Sequence, residues 1–123
     1  MPQLQFSNNW NHKLDCDVFS TIRLRNDRKY FAGAELEVIL KQGNRSTNKG
    51  MHRILGIRYV TLNELDGYTC LLDTGYPLAE TQKIIKTMYV NAAPAINWSK
   101  QHLVIILLKK EGRDNQPTLF QEP

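Results

Sequence analysis

Cysteine is scarce in this chain, two among 123 residues, and Cys16 and Cys70 stand in no paired spacing. That excludes a disulfide framework, on which small secreted domains usually rely, so a reducing, cytoplasmic compartment is expected. Long apolar runs are also missing. The longest, residues 103–108, is far below the roughly 20 residues that cross a bilayer, and the polar N-terminal stretch has no signal-peptide core. No membrane partner is expected. The sequence likewise has no glycine-rich phosphate loop, no paired-cysteine metal motif and no nucleophile elbow, so the common enzyme signatures are absent. His12 and Cys16 are four residues apart with Asp15 and Asp17 nearby. Without a second ligand pair they fall short of the four ligands a structural zinc needs. Neither a metal nor a cofactor is expected.

What is present reads as one globular domain. Apolar residues make up 41% and charged residues 23% of the chain, far from the composition of disorder. The domain is placed at residues 1–110, with a polar, loose tail at 111–123. The net charge of +4 is unevenly spread: between Arg23 and Arg58 nine basic residues face three acidic ones. Such asymmetry points to an anionic partner, RNA or a nucleotide. A solvated basic surface is the alternative.

Apolar alternation predicts a first strand at residues 3–6, then a short helix through His12 and Leu14. In residues 20–25, Ile22 and Leu24 share one face of a strand while Thr21, Arg23 and Arg25 share the other, read as a polar, cationic face. Leu36, Val38 and Leu40 alternate in a second strand, residues 42–50 form a loop, and a third strand runs over 51–60 with Gly56 as a bulge or corner. Thr61 and Glu64 form a capping box that starts a short helix. Residues 73–77 are a turn leading into a helix with Leu78, Ile84, Ile85, Met88 and Tyr89 on its apolar stripe, and Pro77 in its first turn. Residues 91–94 end that helix, Ile96 and Trp98 cover the core, and 103–108 form a buried central strand. The fold class is α+β.

Candidate ligand contacts follow from this placement. Thr21 and Arg23 put a hydroxyl and a planar cation two residues apart on one strand face, suited to a phosphate or a base carbonyl. Asp73 and Thr74, ahead of the helix at Pro77, offer an acceptor and a hydroxyl, with helix capping as the alternative. Arg25 and Tyr76 complete the set.

Four segments in order carry a family resemblance: Phe19-Ser-Thr-Ile-Arg-Leu-Arg25, Phe31-Ala-Gly-Ala-Glu-Leu-Glu-Val38, Leu78-Ala-Glu-Thr-Gln-Lys-Ile-Ile-Lys-Thr-Met-Tyr89 and Leu103-Val-Ile-Ile-Leu-Leu-Lys109. Over residues 6–109 the chain resembles the ASCH family. The resemblance implies a small PUA-like mixed β-barrel of about five to six strands with two to three flanking helices, and nucleotide or RNA binding. The family pattern of glycine, lysine, glutamate or threonine, and arginine falls on Cys16, Val18, Thr21 and Arg23, of which only the last two match. Some small members resembling this chain are amidohydrolases that release acetate from N4-acetylcytidine with a lysine, a threonine and a glutamate. Here Val18 replaces the lysine and the glutamate position falls on or near Asp73 and Thr74. Three readings follow: a nucleotide- or RNA-binding module, an amidohydrolase acting on an acylated nucleoside through Thr21, Asp73 and Lys13 from the preceding segment, and a protein-interaction domain. The loss of the lysine favours the first, since valine neither activates a nucleophile nor stabilises charge.

Overall fold

The computed structural model describes residues 2–91 and 95–111. Within them the alternating segments become a five-stranded mixed sheet in the order β1-β3-β4-β5-β2. Strand β1 (Gln3–Phe6) buries Leu4 and Phe6. It lies parallel to β3 (Glu35–Gln42), with Leu4 opposite Val38 and Phe6 opposite Leu40. Strand β4 (Arg45–Thr61) returns antiparallel from a tight turn, because Gln42 pairs with Arg45 and Gly43 takes a φ of 62°. A side chain at Gly43 would be strained in that left-handed region. Strand β5 (His102–Lys110) then lies antiparallel between β4 and β2 (Val18–Leu24). The aliphatic run 103–108 is therefore internal to the sheet, as its composition requires.

Two cores result, one on each side of the sheet. Leu4, Phe6, Phe19, Leu36, Val38, Ile54, Val104, Ile106 and Leu108 fill the first. Ile22, Leu62, Leu65, Cys70, Ile85 and Leu103 form the second, covered by Trp98 and Tyr89. Alternation along β5 divides its side chains between them, with Val104 and Ile106 on one side and Leu103 on the other. The long β4 bends where its register against β5 shifts between Ile54 and Gly56, which is the bulge expected at that glycine.

Three expectations are corrected. Residues 45–50 are strand and not loop: they pair with β3 although Arg45, Ser46, Thr47 and Asn48 are all exposed, so no apolar face marks them. The capping box at Thr61 and Glu64 does start the short helix expected there, a 3-10 turn at Leu62–Glu64, but the chain does not go on from it to a turn at 73–77. A separate helix α1 (Gly67–Thr74) follows, capped by Asp66, which accepts from the Thr69 amide at 2.7 Å. Asp73 and Thr74 thus belong to the last turn of α1, ahead of helix α2 (Leu78–Met88), whose N-cap is Pro77. The sheet, finally, is not closed by a backbone ladder. Strands β1 and β2 remain its edges, bridged by the Arg23 guanidinium donating to the Gln5 carbonyl at 2.8 Å. Of the expected tail, Glu111 is held by Arg53 at 2.7 Å, and residues 112–123 lie outside the described residues, as do 92–94. Among the described residues no helix is long and apolar enough to cross a membrane.

One polar side chain sits deep in the first core. His52 is fully buried, its ring edge against Phe19 and its Nδ1 3.0 Å from the Gly50 carbonyl, while Nε2 has no hydrogen-bond partner among the described residues. A carbonyl only accepts, so Nδ1 carries the proton of a neutral ring. Burial pushes the imidazole below its ordinary value of 6.5, against the Gly50 carbonyl, which favours the charged form. Below that pH the unfolded chain binds the extra proton and the folded one resists it, so stability falls. A urea midpoint that declines from pH 7 to pH 5 is expected, with the decline flattened in His52→Phe. An identical decline in the variant would assign it to other groups.

Candidate functional site

The site is assembled where α1, α2, β2 and the end of β1 meet. The connection from β1 to β2 contains a 3-10 segment, Trp10–Asp15, broken by Asn11 and His12 at positive φ (59° and 53°). Side chains rarely adopt that region, and asparagine is among those that tolerate it. The segment is held from both ends. The Asn9 side chain accepts the Leu14 amide at 2.8 Å, and the Asn11 amide donates to the Leu71 and Leu72 carbonyls of α1 at 2.9 and 3.1 Å. Gly75, at φ 82°, makes that approach possible, because a Cβ there would lie 2.7 Å from Asn11 Oδ1.

This path turns Lys13 inward. Its Nζ donates to Asp73 Oδ1 at 3.1 Å and to the Ser20 carbonyl at 2.8 Å. The Ser20 hydroxyl donates to the same carboxylate oxygen at 2.9 Å. The two charged side chains are only 6% and 3% exposed. Burial pushes the Lys13 ammonium below its ordinary value despite Asp73, and pushes the Asp73 carboxyl up despite Lys13 and Ser20. Burial thus opposes the charge on both partners, and their mutual attraction offsets it only in part.

Next to the pair on β2, Arg23 Nε donates to Thr21 Oγ1 at 3.2 Å and its guanidinium lies 4.5 Å from the Phe6 ring centre. Thr74 Oγ1 donates to the Cys70 carbonyl at 2.9 Å and accepts the Tyr76 amide at 3.0 Å. These groups line a cavity of about 450 Å³ whose walls include Phe6, Trp10, Ile84 and Met88 and whose mouth carries Glu80 and Lys83. That volume falls within the range of small-molecule sites, and so does the mixture of apolar wall with a few convergent polar groups.

Of the residues picked from the sequence, Thr21, Arg23, Asp73, Thr74 and Lys13 all line this cavity. The face of Thr21 and Arg23 is not a solvated one, since Thr21 is 3% exposed. Neighbouring Phe6 and the 3-10 segment cover it. Arg25 is not in the cavity: it lies beyond the end of β2, paired with Asp27 at 2.8 Å and stacked 4.0 Å over Tyr59. Tyr76 lies off the lining and meets it through an edge contact with Trp10, 6.2 Å between centroids. Val18, where the resemblance expects a lysine, is 46% exposed and outside the lining. The amine that lines the cavity is that of Lys13. Sequence reasoning missed Ser20, Asn11 and Trp10, and it assigned Ile84 and Met88 to the core although they form cavity wall. No signal separated them, since an apolar stripe of that width is also what a core-facing helix shows.

Removing one partner of a buried ion pair leaves the other charge uncompensated, at about 3–5 kcal/mol. Lys13→Met and Asp73→Leu should each destabilise the fold by an amount of that order in urea unfolding. The double variant should recover most of the loss. Single variants costing under about 1 kcal/mol would show that the pair is far better solvated than its burial indicates.

Compared with known proteins, the chain matches no family model, no curated protein and no solved structure.

Proposed function

We propose that the chain is an ASCH-type, PUA-like nucleotide-binding module whose ligand occupies the cavity lined by Lys13, Thr21, Arg23 and Asp73. The observation that carries this reading is the convergence of those four side chains on one apolar-walled space of about 450 Å³. Phe6, Trp10, Ile84 and Met88 supply flat or flexible apolar surface for a base, and the polar groups supply donors and acceptors for its edge or its phosphate. Binding is favoured over hydrolysis by the state of Thr21. Its oxygen accepts from Arg23, and among the described residues no base holds its hydroxyl proton, so the paired nucleophile and base of covalent catalysis are not formed.

The amidohydrolase reading is kept alive by Lys13, whose amine reaches the cavity from a different position than the resemblance expects. Recognition of RNA draws on the basic residues, but the fold uses several of them internally. Arg23 is in the cavity, and Arg25, Lys49 and Arg53 are paired with carboxylates. Among the described residues Arg28, Lys29, Lys41, Arg45 and Arg58 form no such pair. At roughly 0.7 per phosphate neutralised on a single strand, RNA affinity should depend on salt with a logarithmic slope no steeper than about −3.5. A slope near that expected for all nine basic residues would mean that the internal pairs open on binding.

The site itself is tested by amide-resolved NMR titration with cytidine, uridine, adenosine and their 5′-monophosphates. Shifts should cluster at Thr21, Arg23, Thr74 and Ile84, and Thr21→Ala should weaken binding by about 1 kcal/mol, roughly fivefold. Shifts confined to the outer face of α1, at Tyr68 and Leu72, would instead support the protein-interaction reading. No acetate release from N4-acetylcytidine is expected. Turnover that disappears in a folded Thr21→Val variant would replace the binding reading with the hydrolase.

A further inference from the structure

We infer that the ligand of this cavity presents an anionic group to Arg23 and Lys13. The location of the site is taken from the nucleotide reading; the charge of the ligand is a separate conclusion.

The charges of the cavity floor do not balance. Lys13 and Arg23 bring two cations, and Asp73 brings one carboxylate. Oxygen Oδ1 of that carboxylate already accepts from Lys13 and Ser20. Among the described residues no carboxylate lies within ion-pair distance of Arg23. Its guanidinium rests on neutral acceptors, Thr21 Oγ1 at 3.2 Å and the Gln5 carbonyl at 2.8 Å, and on the Phe6 ring. These satisfy hydrogen bonds but do not cancel a unit charge. At longer range Asp73 favours the Arg23 charge, while Lys29 and Arg23, as like charges, disfavour one another, and among the described residues Lys29 forms no ion pair with a carboxylate. At the mouth, Glu80 and Lys83 carry opposite signs and are both exposed, so they leave the imbalance in place.

A largely buried cation without a counter-charge is costly, and a ligand that supplies the charge recovers that cost on binding. The geometry can receive one. Two of the five guanidinium N–H groups of Arg23 are engaged in its two bonds, which leaves donors for a forked contact with a carboxylate or phosphate. Lys13 uses two of its three. The apolar walls at Phe6, Trp10, Ile84 and Met88 then fit the uncharged body of the same molecule. The ligand class is a phosphate or carboxylate attached to a planar or apolar group.

Four probes separate this inference from the nucleotide reading: cytidine 5′-monophosphate, cytidine, benzoate and benzamide, each titrated by calorimetry or NMR at low salt. The monophosphate should bind at least about tenfold tighter than cytidine, and benzoate tighter than benzamide, which by 1.4 kcal/mol per decade is within the range of one charge-assisted contact. Arg23→Gln should abolish the difference. Because Arg23 also bridges the sheet edges, Met88→Glu serves as the second variant. It puts a carboxylate on a wall residue that is 52% exposed and should reduce the preference without touching the core. Equal binding of the monophosphate and cytidine would overturn the anion inference and leave the nucleoside reading standing. Benzoate binding with neither nucleoside nor nucleotide bound would do the reverse. No saturable binding of any probe overturns both, and a preference that survives in folded Arg23→Gln overturns the role of the guanidinium.

Discussion

The ammonium of Lys13 and the carboxylate of Asp73 meet at 3.1 Å with almost no solvent around either, and the architecture of the cavity depends on that contact. Three elements that are distant in sequence meet in it: the 3-10 segment through Lys13, α1 through Asp73, and β2 through both the carbonyl and the hydroxyl of Ser20. Taking two such charges out of water opposes folding by several kcal/mol per ion, and Coulomb attraction offsets this only where further hydrogen bonds complete the geometry. Ser20 supplies two of them. Replacing such a pair by hydrophobic residues of similar volume is often neutral for stability. Stability alone therefore does not account for the charge at this point.

The same reasoning accounts for the backbone of the 3-10 segment. Two consecutive residues at positive φ are unfavourable by of order 1 kcal/mol or more each, and such strain persists only where surrounding contacts impose it. Here Asn11 provides the contacts, through two carbonyls at the end of α1, and Gly75 leaves the room they need. Asn11 and Lys13 thus join the same two elements twice, once through neutral hydrogen bonds and once through the ion pair. The neutral pair sets the distance between segment and helix independently of the protonation of the charged one.

The legible part of this molecule was the part with apolar alternation. Leu36, Val38 and Leu40, the run through Val104 and Ile106, and Ile22 on β2 all lie in the cores to which their periodicity assigns them. The first half of β4 was illegible for the converse reason. Arg45 to Asn48 are exposed, so their pairing is specified by the tight turn at Gly43 and by β3 and not by a buried face. Helix α1 was hidden because Tyr68, Leu71 and Leu72 face outward and its buried side is made of Cys70, Asp73 and Thr74. Four residues of the cavity lining, Thr21, Arg23, Asp73 and Thr74, were singled out as ligand contacts from residue type and local spacing. Their convergence was not, because it depends on how a sixty-residue separation between Lys13 and Asp73 is closed in space.

Charge shows the same limit from another direction. The excess of basic residues between Arg23 and Arg58 is a property of the sequence, but its meaning depends on where the carboxylates fall once the chain is folded. Asp15 comes from the 3-10 segment to Lys49, Glu111 comes from the end of β5 to Arg53, and Asp27 takes Arg25. Exposed pairs of this kind contribute little to stability, about 0–1 kcal/mol each, yet each lowers the field that a polyanion would sense at the surface. Arg23 is different because its charge is carried into a space with apolar walls, where the effective dielectric is lower and screening by salt is weaker. One cation enclosed in that way can select a ligand more sharply than several that are solvated on the outside. Part of the basic excess is thus neutralised by pairs within the fold, and one of its cations, Arg23, is carried into the cavity.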